Sequence, residues 1–133
     1  MSNERTEGMN EYALRWVEKL EDGTIEQAQG RLAEDEKRCC LGVACDQGVD
    51  DGLLVRKSFR SEGYGYVAPG SPVADKDLLP AVMVERLGLA TRDGRFVNVT
   101  EGAVSLAALN DRGATFREIA AVIRSEPDGL FRA

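Results

Sequence analysis

The sequence predicts an α+β fold in a single small domain, with about four to five helices and a small antiparallel sheet or hairpin. Three observations carry this. Met9, Tyr12, Ala13, Trp16, Val17 and Leu20 recur at helical spacing and form one apolar stripe. Ser105–Ile123 reads SLAALNDRGATFREIAAVI, two short apolar helices joined by a polar turn. Between these ends, residues 50–77 form an irregular segment of glycines, prolines and serines with short apolar runs of strand type. A chain of 133 residues fits one domain. At that size folding buries roughly two thirds of the unfolded surface.

Each element has a local reason. The first helix is capped at Asn10 or an earlier polar residue, and Gly23 suits a left-handed stop. Residues 24–38 are polar and mixed. They predict a helical turn over Thr24–Ala28, a brief strand over Gly30–Leu32 and a charged turn over Glu34–Arg38. Cys39–Asp46, CCLGVACD, is the most apolar run in the chain. Cys40, Val43, Ala44 and Gln47 share a helix face, which predicts a buried helix over Leu41–Val49 entered from a strand through the cysteines. Gly42 and Ala44 leave room for another element to approach. Leu53–Val55 and Tyr64–Val67 read as strands flanking a turn at Ser61-Glu62-Gly63.

Asp77–Leu87 is helical by the four-residue spacing of Leu79, Met83 and Leu87. Pro80 falls in its first turn and Gly88 at its C-terminal cap. Asp93-Gly94 is a turn before a strand over Arg95–Val99, whose buried face the pattern leaves open. Ser105 caps a helix over Leu106–Asp111, which Gly113 ends. Thr115 and Glu118 form a capping box, and Phe116, Ile119, Ala120 and Ile123 are the buried stripe of the last helix. Asn110 and Asp111 are expected to tie the turn through local hydrogen bonds. Leu130 and Phe131 are expected to pack back onto the core.

Composition narrows the chemistry. The chain has no histidine, which removes serine–histidine and cysteine–histidine catalysis and histidine-ligated metals within one chain. The net charge is −6, and residues 1–36 carry all of it, with ten acids against four bases. An acidic chain lacks the basic footprint that phosphate binding needs, so nucleic acid is disfavoured as a partner. The polar start MSNERTEGMN has no apolar signal core, and no run approaches the roughly 18 apolar residues of a membrane span. A cytoplasmic protein without a membrane partner is expected. No P-loop, dinucleotide fingerprint or paired metal-binding carboxylates occur, so an enzyme is the less favoured class and no cofactor, metal or catalytic residue is assigned.

Three places remain for function. The first is the basic, aromatic part of the irregular segment. There Arg56, Lys57, Arg60, Tyr64 and Tyr66 are the candidate ligand-binding residues, arginine forking onto an anion while tyrosine stacks on a base. Its bland alternative is a solvated hairpin whose charged edge discourages aggregation. The second is the helix pair at 105–123, which as a DNA-binding module would use Arg112, Arg117 and Arg124; otherwise it is a structural corner. The third is thiol or metal chemistry at Cys39, Cys40 and Cys45, for which Lys37 and Arg38 supply nearby cations. Against it, the spacing matches no strong zinc pattern, and buried small hydrophobes are the plainer role.

Four stretches in order carry a resemblance: Ala13-Leu14-Arg15-Trp16, CCLGVACD at 39–46, LPAVMVERLGL at 79–89 and SLAALNDRGATFREIAAVI at 105–123. Together, and chiefly through CCLGV with LND-x-G-x-TF, the chain resembles a family of small uncharacterised bacteriophage and prophage proteins. The resemblance implies a phage accessory protein acting in the host cytoplasm, and it transfers no catalytic residue. The expected activity is non-enzymatic binding of a host protein or a small anionic, nucleotide-like signal, in the service of anti-defence.

Overall fold

The apolar stripe near the start folds as helix α1, Glu11–Glu21. Asn10 caps it, its Oδ1 accepting from the Ala13 N–H at 2.7 Å. The computed structural model describes residues 9–58, 63–98, 100 and 102–132. Among them five helices, a four-stranded antiparallel sheet and a two-stranded hairpin build one α+β domain.

Residues 24–38 fold differently from their sequence reading. Thr24–Ala28 forms no helical turn. The charged stretch instead becomes a minimal hairpin of β1, Ala33–Glu34, and β2, Lys37–Arg38, turning at Asp35 and Glu36. Two-residue strands carry no period for a sequence to display. From β2 the chain passes through Cys39 into α2, Cys40–Asp50, the buried helix expected there.

β3, Val55–Ser58, and β4, Tyr64–Val67, form the next hairpin, with Arg56 opposite Tyr66 and Ser58 opposite Tyr64. β4 also joins β1 at Ala33, so the sheet order is β2-β1-β4-β3 and β3 lies at one edge. Gly63 permits that junction: a Cβ there would sit 2.2 Å from the Ala33 carbonyl oxygen, and its φ is +84°. The predicted turn at Ser61-Glu62 lies outside the described residues.

α3, Ala81–Leu87, starts four positions later than the expected Asp77–Leu87, so that Pro80 is its N-cap rather than part of its first turn. β5, Arg95–Asn98, turns Phe96 inward and leaves Val97 exposed, which settles the face left open by its pattern. Its partner β6, Gly102–Ser105, has small side chains and no apolar alternation, and sequence reasoning missed it. β6 runs straight into α4, Leu106–Asp111, so Ser105 ends the strand and caps the helix. α5, Phe116–Arg124, carries the capping box of Thr115 and Glu118.

Helix α1 lies at the centre, packed against α2, α3 and α5, and α4 packs on α2 and α5. Trp16 is fully buried between them, and its indole N–H donates to the Cys40 carbonyl at 2.8 Å. This satisfies the one polar atom of a side chain that removes roughly 150–250 Å² from water. Leu130 is buried, and Phe131 bridges to Leu89.

Candidate functional site

The two signature motifs meet in the core. Cys39 caps α2, its Sγ accepting from the Gly42 N–H at 3.4 Å. The next exposed donor of that helix, the Cys40 N–H, goes to Asn110 Oδ1 at 3.0 Å. Asn110 is fully buried; Oδ1 also accepts from Gln27 Nε2 at 2.9 Å, and Nδ2 donates to the Ala28 carbonyl at 2.7 Å. Asp111 accepts from the Gly30 N–H at 2.8 Å. CCLGV and LND therefore lock together across the fold, with residues 27–30 as the third party. Asn110 and Asp111 do not tie their own turn as expected. Their partners lie 70 or more residues away in sequence. Gly42 is required in this knot, because a Cβ there would lie 1.9 Å from the Leu32 carbonyl oxygen.

The cysteines belong to the same knot. All three are buried and free. Burial pushes the Cys39 thiol up to about 11, against which the Gly42 N–H works, and holds Cys40 and Cys45 well above the ordinary range. Thiolate chemistry needs the opposite shift. The cation beside them, Arg38, is engaged elsewhere. Among the described residues no group of three His, Cys, Asp or Glu side chains is placed to hold a metal.

The more open chemistry lies on the face of the sheet next to α2. Asp46 projects there from α2. Its Oδ2 accepts from Arg38 Nε at 2.6 Å, and its Oδ1 accepts from Arg56 at 3.0 Å and from the Tyr66 hydroxyl at 2.6 Å. Arg38 is further held by the Asp35 and Lys37 carbonyls, at 3.0 and 2.8 Å. Its side chain is mostly buried, whereas that of Arg56 is 40 % exposed. Burial and the Asp46 carboxylate both drive the Tyr66 phenol far upward, so it stays a hydrogen-bond donor.

Arg38 and Arg56, with Tyr64, Asp35 and Glu36, line an open cavity of about 370 Å³. A guanidinium carries five donors, and Arg56 spends one amino group on Asp46 among the described residues. The cavity thus offers forked donors beside a half-buried aromatic ring, fixed from beneath by one carboxylate.

The structure divides the candidate ligand residues. Arg56 and Tyr64 come together at this cavity. Tyr66 shares their face but is buried, with its hydroxyl spent on Asp46. Lys57 alternates to the opposite face of β3. Arg60 lies outside the described residues. Sequence reasoning missed Arg38 and Asp46. A signal existed: an aspartate inside the most apolar run of the chain needs a cation partner when that run is buried.

The candidate DNA-binding set is dispersed in role. Arg124 forms a forked pair with Glu21, at 2.6 and 2.8 Å, that ties α5 to α1. Arg112 lines a separate cavity of about 500 Å³ with Arg95 and Ser105. Arg117 is exposed beside Glu118, whose carboxylate is bound in the cap. α5 buries Phe116, Ile119, Ala120 and Ile123 against the core.

No helix among the described residues is long and apolar enough to cross a membrane. Residues 9–127 match the family model described as Domain of unknown function (DUF8296). No curated protein and no solved structure matches the chain.

Proposed function

We propose that this chain, which belongs to the DUF8296 family, is a non-enzymatic binding protein whose working surface is the Arg38–Arg56–Tyr64 cavity. One observation carries the reading: two guanidinium groups from separate hairpins converge on one cavity beside an aromatic ring, on a shared carboxylate clamp. Such a site recognises an anionic group through forked, charge-assisted hydrogen bonds. The signature motifs have a different task, since their polar atoms are consumed within the core.

The resemblance to phage and prophage proteins supports a role in the host cytoplasm, where sequestering a host protein or an anionic, nucleotide-like signal blunts defence. DNA binding through 105–123 has weaker support, because Arg124 and Glu118 are engaged in holding the fold. Isothermal titration and native mass spectrometry against inorganic phosphate and a nucleotide panel test the reading. Saturable binding that Arg56→Ala weakens supports it. Absence of binding by any anion, in a protein whose fold is intact, sinks it.

A further inference from the structure

The edge strand β3 has a geometry that bears on what the cavity receives. Tyr66 exchanges both backbone hydrogen bonds with Asp75, N–H to O at 2.8 Å and O from N–H at 2.9 Å. Its backbone groups therefore point away from β3. In an antiparallel pair the hydrogen-bonded and non-hydrogen-bonded positions alternate. Arg56 opposite Tyr66 is thus a non-bonded pair, and so is Ser58 opposite Tyr64, while Val55 with Val67 and Lys57 with Gly65 carry the ladder. The N–H and C=O groups of Arg56 and Ser58 consequently point off the sheet. Among the described residues no strand pairs with that edge.

The side chains of the same strand are cationic on both faces. Arg56 lies at the cavity and Lys57 on the reverse face. A second copy of β3 laid along this edge would set like charges against each other, which opposes self-pairing. An acidic strand meets neither obstacle.

We propose that the β3 edge accepts an extended acidic peptide segment of a partner protein by strand addition. A carboxylate opposite Arg56 enters the cavity, and a neighbouring carboxylate meets Lys57 on the other face. The proposal rests on the reading of the cavity as an anion site and names the anion's carrier. Main-chain bonds to Arg56 and Ser58 supply register, and the alternating side chains supply selectivity for two consecutive acids. The charge inventory favours this over a polyphosphate. Asp35 and Glu36 share the cavity with the arginines, so several clustered negative charges would face two carboxylates there. A peptide presents a single carboxylate on that face, so one negative charge rather than several meets Asp35 and Glu36 in the cavity.

The test is isothermal titration of the intact protein with a capped peptide of valines and threonines around two central glutamates. Parallel arms use the same peptide N-methylated at alternate residues, sodium acetate and adenosine triphosphate. The parent peptide is expected to bind one to one. N-methylation on the edge-facing side is expected to weaken it by about tenfold or more, since the main-chain bonds are lost. Ser58→Pro removes an outward N–H without touching the β4 ladder, a placement that edge strands tolerate. It should weaken the peptide similarly and leave acetate unchanged. Equal binding of parent and N-methylated peptides overturns strand addition. Binding of acetate or adenosine triphosphate without the peptide also overturns it, while the anion site stands. Failure of all of them removes the site reading as well.

Discussion

Replacing Asn110 with alanine strips the fold of the side chain that joins its two signature motifs. Asn110→Ala deletes the acceptor of the Cys40 N–H and the donor to the Ala28 carbonyl, both inside the core. Gln27 loses one partner too, but it keeps the Ala114 carbonyl at 2.7 Å. Two main-chain groups are therefore stranded without water. At about 1–3 kcal/mol for each buried group left unpaired, the loss is about 2–6 kcal/mol. A domain of this kind holds about 5–15 kcal/mol in all, so the change removes a large share of it. Urea unfolding followed by circular dichroism measures the difference, with the midpoint falling and the slope unchanged. Gln29→Ala is the control. It removes one 3.3 Å bond from an exposed residue to the Asn110 carbonyl and should cost no more than about 0.5 kcal/mol. An Asn110→Ala protein as stable as that control would refute the view that LND and CCLGV form an energetic unit.

Gly42→Ala should fail to fold or lose more than about 3 kcal/mol, because the new methyl meets the Leu32 main chain rather than a side chain that can move; expression and thermal melting check it. Thr115→Ala opens the capping box and should cost about 1 kcal/mol in urea unfolding. The thiols give a pH dependence. Burial raises the Cys39 thiol from an ordinary value of 9.0 to about 11, so the folded state holds its proton where the unfolded state has lost it. The resulting stability is complete below about pH 9, falls as pH rises from about 9 to about 11, and is gone above the folded value. Urea midpoints should decline over that range. Native-state alkylation at pH 8 should leave all three cysteines unmodified until the chain unfolds.

The helices were legible because a 3.6-residue period repeats over several turns. The α1 stripe, the Phe116–Ile123 stripe and both caps stand where the sequence puts them. The small strands were not. β1 and β2 are two residues each, and β6 is built of Gly102, Ala103, Val104 and Ser105, whose pairing depends on β5 rather than on its own pattern. Long-range polar pairing was hidden for a similar reason. Asn110 looks like any turn asparagine until the chain brings Cys40 and Ala28 to it. At the candidate site, Arg56 and Tyr64 were readable as a basic, aromatic patch. Arg38 and Asp46 were not assigned to it, because their meeting depends on the order β2-β1-β4-β3.

Backbone amide NMR of the intact protein, titrated at low salt with acetate and then inorganic phosphate, separates an anion-binding cavity on the α2 side of the sheet from signature motifs that only hold the fold. Shifts that saturate at Arg38, Arg56 and Tyr64, with Cys40 and Asn110 unmoved, are the predicted result. Shifts gathered instead along Arg112, Arg117 and Arg124 would contradict it and return the binding surface to the helix pair.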